Sequence, residues 1–293
     1  MEDNTTYRRV EADETRRGGS LRGNYGETGR GRYEGARHQA TQDEAMPSQP
    51  QAQDNESDIF GKSAREVTGK DLFIAIGAMA MAFLAFVVAA IVAAVVFGAD
   101  GDSLEFVLDT YAEPALKVAI IVVLYFAFKS RGWTWRQAGF TKLPKRAWNM
   151  VWQVPLASAA TMLAVVPLAG VLGFENNNAE SNEALLNGAT PVSLIVSLIG
   201  TVILAPIFEE FVFRRLFVGW MSKWMSPLAA VFVVGIIFGV LHINPYAILW
   251  VSCLGIWAGI FTLHYKSLWA GIIVHMVNNT LAASALFVAL FQG

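Results

Sequence analysis

Six ionisable side chains stand in stretches otherwise too apolar for them: Glu209, Glu210, Arg214, Arg215, His242 and His275. Four of them fall in one run, Phe208-Glu209-Glu210-Phe211-Val212-Phe213-Arg214-Arg215. Glu210 and Arg214 are four apart, so on a helix they share a face and can pair. Glu209 then points about 100° away from Glu210. One carboxylate is neutralised and the other is left for a different task. Alone, the run reads equally well as charges marking the cytoplasmic end of a membrane span. The histidines shift that balance. Phe238 and His242 are four apart, as are His275 and Asn279, and each pair lies on one helix face. Taken singly, each pair suits packing or an interhelical hydrogen bond. Taken together with Glu209, they suit water attack on a peptide carbonyl. A carboxylate beside an imidazole can hold a water and take its proton. A second imidazole and an amide can donate hydrogen bonds to the resulting oxyanion. Ser252 and Cys253 lie within an apolar run with no base in register, so neither is a clear nucleophile. Cys253 is the only cysteine, which excludes an intrachain disulfide and a cysteine-rich metal site.

These residues need a scaffold, and the composition says which kind. The chain is 54% hydrophobic and 16% charged, whereas a soluble domain carries about 25% charged residues. Residues 1–71 hold 25 of the 46 charges. The remainder reads as an all-α, multi-pass membrane bundle, since a span needs roughly 20 apolar residues. Spans are expected at 72–98, 108–128, 147–172, 191–217, 228–242, 246–265 and 267–291. That makes seven helices, or eight if the last is split. Lys117, near the start of the second, can snorkel to the interface. The domain division is a disordered tail over 1–70 and a membrane body over 71–293. The tail is polar, with an Arg/Gly-rich stretch from Arg17 to Arg37, and cannot bury enough apolar area to offset its ordering entropy. Such a stretch can touch RNA or anionic lipid, but acidic residues outnumber basic ones over the tail as a whole, so no nucleic-acid partner is expected. No apolar stretch precedes Leu72, so the first span is expected to serve as its own insertion signal.

Loop charges orient the spans. Lys62, Arg65 and Lys70 precede the first; Asp100, Asp102, Glu105, Asp109 and Glu113 follow it. Lys129, Arg131, Arg136, Lys142, Lys145 and Arg146 follow the second, and Glu175, Glu180 and Glu183 the third. The alternation places the N-terminus in the cytoplasm. Depth also agrees. Glu209 lies 17 residues before Ser226 and His242 16 after it, so both stand about 25 Å from a turn at Ser226-Pro227. His275 lies about 13 Å from the turn at Lys266, and the levels match if the first hairpin tip projects about 10 Å further.

The order Glu209-Glu210-x-x-x-Arg214, Phe238-x-x-x-His242, His275-x-x-x-Asn279 resembles the three-motif signature of the CPBP family. That group comprises type II CAAX prenyl endopeptidases and the bacteriocin-processing and immunity proteins also called Abi. Phe213-Arg214 and Ser267-Leu268-Trp269-Ala270 agree as well. The resemblance covers about residues 190–285, not the first three spans or the tail. It implies an intramembrane glutamic endopeptidase acting on a membrane-associated protein or peptide within the lipid bilayer. By that resemblance Glu209 is the general base, assisted by His242; His275 and Asn279 form the oxyanion hole; Glu210, Arg214 and Phe238 support the site. Arg215 departs from the Gly that many members carry there, which could alter local bending. Neither the substrate nor its prenylation follows from the resemblance.

Two other readings stand beside this one. One Glu and two His have the composition of a catalytic zinc site, and members of the group have often been labelled metalloproteases; against it, no His-Glu-x-x-His run exists, and no cofactor or metal is expected. The cluster could instead bind a peptide or lipid without cutting, as an immunity or scaffold protein. A transporter is disfavoured, because no internal repeat is evident.

Overall fold

The computed structural model describes residues 65–97, 108–176, 186 and 189–292. The tail expected over 1–70 therefore lies outside the described residues as far as position 64. Positions 65–70 already pack on the body: Val67 is buried, and the first helix begins at Gly69.

Among the described residues the chain is helical throughout, without strands. The helices are α1 (Gly69–Phe97), α2 (Glu113–Ser130), α3 (Met150–Leu172), α4 (Pro191–Met221), α5 (Pro227–Val240), α6 (Pro245–Tyr265), α7 (Leu268–Ala282) and α8 (Ser284–Gln292). Five are long and apolar enough to cross a membrane: α1, α2 with its preceding turn, α3 with its preceding turn, α4 and α6. The fifth and seventh places hold shorter apolar helices of 14 and 15 residues. At 1.5 Å per residue these reach only about 21–23 Å, less than the ~30 Å of a bilayer's hydrocarbon core. The last expected span is split at Ala283, giving eight helices among the described residues.

Local chemistry sets the ends that matter. Ser226 caps α5 by accepting from Ala229 N–H, and Pro227 follows as its first residue. Asn244 caps α6 in the same way, accepting from Ala247 N–H, with Pro245 next. Caps of this kind contribute about 1 kcal/mol each, and proline at the first helical position sacrifices only an amide that has no partner there. Between α5 and α6 the chain reverses sharply. Ile243 adopts φ 62° and Asn244 N–H donates to the His242 carbonyl at 2.6 Å. A β-branched residue at positive φ is a strained conformation, and here it separates His242 from the cap of the next helix.

α5 and α6 pack closely enough to need glycine. A Cβ on Gly239 would lie 2.0 Å from Ser252 Oγ, and one on Gly255 would lie 3.0 Å from Gly235 Cα. Small residues at helix interfaces let backbones approach this way in membranes, where van der Waals contact drives association. Ser252 is thus spent on packing, in keeping with its having no base. At the other end of α6, the loop after α2 is latched to the turn before α7. Thr141 Oγ1 donates to the Lys266 carbonyl, Ser267 Oγ donates to the Thr141 carbonyl, both at 2.6 Å, and Leu268 N–H donates to the Gly139 carbonyl at 2.9 Å. This latch fixes where α7 starts.

α4 is continuous but not uniform. Its bonding widens to a π pattern over Ile199–Leu204 and again over Phe211–Val218, on both sides of the segment Ala205–Glu210 that ends in the paired glutamates. Such widenings are frequent at functional sites. Arg215, the departure noted in the sequence, is buried in the second. It donates to the Gln137 carbonyl at 2.8 Å and to the Arg65 carbonyl, and its guanidinium lies 4.9 Å from the Trp133 ring centre. It ties α4 to the segment before α1 and to the loop after α2.

Candidate active site

The two adjacent glutamates have different surroundings. Glu210 is fully buried. Its Oε1 lies 2.9 Å from His275 Nδ1 and 3.0 Å from an Arg214 guanidinium nitrogen. Its Oε2 is enclosed beside Gly271 and lacks a hydrogen-bond donor among the described residues. The pairing expected from the four-residue spacing is present, with a qualification. Arg214 is close enough for an ion pair, yet neither terminal guanidinium nitrogen is aligned for a good hydrogen bond. Part of its stabilisation comes instead from Phe238, whose ring centre lies 4.6 Å from the guanidinium carbon. Phe238 also meets the rings of His242 and His275 edge to face, at 5.1 and 5.7 Å. The three supporting residues thus form one buried cluster beneath the two histidines.

Glu209 instead lines a cavity of about 420 Å³. His242, His275 and Asn279 line the same cavity. The four residues expected to do the chemistry are therefore together, drawn from α4, the turn after α5, and α7. Glu209 Oε2 and His275 Nε2 are 3.7 Å apart, too far for a direct hydrogen bond.

Hydrogen-bond partners fix the roles open to each ring and amide. His242 Nδ1 faces the Phe238 carbonyl at 3.0 Å. A carbonyl only accepts, so Nδ1 carries the hydrogen and Nε2 of the neutral ring keeps its lone pair. His275 Nδ1 likewise donates to the Glu210 carboxylate. Asn279 is oriented by a relay. Trp250 Nε1, which can only donate, gives its hydrogen to Asn278 Oδ1 at 2.8 Å; Asn278 Nδ2 donates to Asn279 Oδ1 at 3.3 Å; Asn279 Nδ2 donates to the Thr201 carbonyl at 2.9 Å. An amide nitrogen has two hydrogens, so Asn279 retains one.

Thr201, Trp250 and Asn278 also line the cavity and were not singled out from the sequence, and Lys117 lines it as well. Asn278 could have been suspected from its neighbour. Trp250 and Thr201 carry no local signal, because their role depends on which helices meet. The Lys117 side chain is 12% exposed, pairs with Glu113 at 2.5 Å and lines the cavity. Among the described residues no group of three or more His, Cys, Asp or Glu side chains gathers as a metal-ligand set. The Nδ1 atoms of the two imidazoles are engaged by Glu210 and by the Phe238 carbonyl, which leaves Nε2 of each ring for other partners.

Comparison with known proteins agrees with the motifs. Residues 191–281 match the family described as type II CAAX prenyl endopeptidase Rce1-like. The stretch begins with α4 and ends within α7, so it contains every residue of the three motifs. A Bacillus subtilis (strain 168) protein named "Putative membrane peptidase YdiL" is 28% identical over 103 residues, which is 34% of this chain and 41% of that protein's length. The chain thus matches less than half the length of this curated relative. No solved structure matches. The resemblance to the CPBP group read from the motifs is borne out, and with the apolar helices it identifies a multi-pass membrane protein.

Proposed function

We propose that this chain is an intramembrane endopeptidase that hydrolyses a peptide bond of a membrane-associated protein or peptide. The observation that carries the reading is the division between adjacent carboxylates. Glu210 is held by Arg214 and His275, whereas Glu209 opens on a cavity shared with two imidazoles and an amide. Glu209 takes a proton from a water, and His242 assists through the lone pair on Nε2. The hydroxide attacks the carbonyl, and the oxygen becomes an oxyanion. Asn279 donates to it from its remaining N–H, and His275 does so from Nε2 when that atom carries a proton. The proton gained by Glu209 passes to the amine as the C–N bond breaks. Catalysis by a positioned base contributes about 10²–10⁴-fold, and one oxyanion donor about 10²–10³-fold.

The loop charges support an orientation with the N-terminus in the cytoplasm. The motif resemblance supports a metal-free glutamic mechanism.

Quantitative comparison of membrane peptides from cells producing wild type or Glu209→Gln tests the reading. Cleavage products present only with wild type are expected. Identical peptide sets would contradict proteolysis and favour a protein that binds a peptide or lipid without cutting it. Metal content of the purified protein separates the mechanisms: stoichiometric zinc, with activity lost to a chelator and restored by zinc, would overturn the metal-free one.

A further inference from the structure

Lys117 is an ammonium inside the membrane body that the hydrolytic steps do not use. It stands one turn into α2, four residues after Glu113, with its Nζ 2.5 Å from Glu113 Oε1. The pair is asymmetric: the Lys117 side chain is 12% exposed and that of Glu113 49%. This end of α2 is pressed against α4, since a Cβ on Gly200 would come within 2.7 Å of Pro114 Cγ. The approach brings Glu113 and Lys117 into the wall of the cavity that holds Glu209, His242, His275 and Asn279. Among the described residues lining that cavity, Lys117 is the only Lys or Arg.

Stability does not account for the pair. An exposed ion pair four residues apart on a helix contributes only a few tenths of a kcal/mol, and an ionisable residue within a span is costly enough to imply a role. The cavity otherwise presents carboxylates at Glu113 and Glu209 and neutral donors and acceptors at Asn244, Asn278 and Thr201. A peptide bearing a carboxylate would be repelled by Glu113 and Glu209 unless it displaced Glu113 from Lys117. A neutral or amidated peptide has nothing to offer in that exchange.

We infer that Lys117 is the carboxylate-recognition residue of this cleft, exchanging its bond to Glu113 for a carboxylate on the bound peptide. The carboxylate comes from an acidic side chain or from a free C-terminus; both offer the same acceptor. The inference rests on the endopeptidase reading for the fate of the peptide, but not for its capture. A hydrogen bond to a charged group discriminates by about ten- to a hundred-fold, and a carboxylate-bearing peptide is favoured over its neutral counterpart by that factor.

The test uses the full chain in lipid nanodiscs and pools of randomised apolar hexapeptides. The pools are prepared as free acids and as C-terminal amides, each with one fixed internal Glu or Gln. Capture is measured on Glu209→Gln protein and cleavage on wild type, by mass spectrometry. Free-acid or Glu-bearing pools are expected to be captured preferentially, and the pool that shows the preference identifies the carboxylate's source. Adding Lys117→Met should erase the preference, Lys117→Arg should keep it, and Glu113→Gln, which removes the internal competitor, should strengthen it. An unchanged preference in Lys117→Met, or none in Glu113→Gln, would overturn the inference. Lys117-dependent capture without cleavage by wild type would instead retain the recognition residue and refute the endopeptidase.

Discussion

α1 and α4 are nearly equal in length, 29 and 31 residues, and are built for opposite surroundings. None of the most apolar stretch of α1 is buried within the protein, against 44% of that of α4. Phe73, Met81, Val95 and Val96 of α1 are each more than 60% exposed. These side chains have lipid to face and little protein to contact. α4 buries Glu210, Arg214 and Arg215 within its length, widens twice to a π pattern, and meets α2, α5 and α7 at the site. A hydrophobic helix is thus not one kind of object. Where apolar side chains point outward, position along the helix matters little; where polar groups are turned inward, each depends on a named partner.

That contrast orders the consequences of substitution. The largest effect falls on Glu209. Glu209→Gln keeps the shape and removes the base, and cleavage should drop by about 10²–10⁴-fold while thermal stability holds; cleavage and melting measured on the same sample check both. Next comes Arg214→Met, which leaves Glu210 buried without its cation. Removing one partner of a buried pair costs about 3–5 kcal/mol, to be read from denaturation in detergent. A double Glu210→Gln, Arg214→Met variant should recover part of that loss. Asn279→Ala should slow cleavage by about 2.7–4 kcal/mol in barrier without removing the base, seen as a lower kcat with little change in KM. Gly239→Ala forces a Cβ onto Ser252 and should cost about 1–3 kcal/mol of stability by overpacking, with activity falling because His242 follows directly. The smallest effect belongs to α1: Ile91→Ala, on its exposed surface, should change stability by less than about 0.5 kcal/mol. A large loss there would erase the contrast between the two helices.

The sequence disclosed the two helices unequally. The lipid-facing role of α1 follows from hydropathy alone, because nothing else constrains it. For α4, the four-residue spacing of Glu210 and Arg214 anticipates their pairing, and the turn away from Glu209 anticipates two environments. The convergence of His242, His275 and Asn279 on one cavity was reachable only by depth arithmetic along antiparallel helices. The π widenings were not legible, since they depend on packing on both sides of α4. The place of Lys117 in the cavity wall was not legible, since it depends on the contact of Pro114 with Gly200, between helices about 90 residues apart in sequence. The relay from Trp250 to Thr201 spans three helices and leaves no local pattern.

The central claim is that adjacent carboxylates divide the work, Glu209 reacting and Glu210 holding the frame. It is tested most directly by comparing Glu209→Gln with Glu210→Gln in nanodiscs, measuring cleavage of the randomised peptide pool and thermal unfolding on the same preparations. The account expects Glu209→Gln to lose cleavage and keep its melting temperature, and Glu210→Gln to melt several degrees lower, as ~1–3 kcal/mol is lost from the buried cluster. Full cleavage by Glu209→Gln, or wild-type melting by a Glu210→Gln protein that cannot cleave, would contradict it.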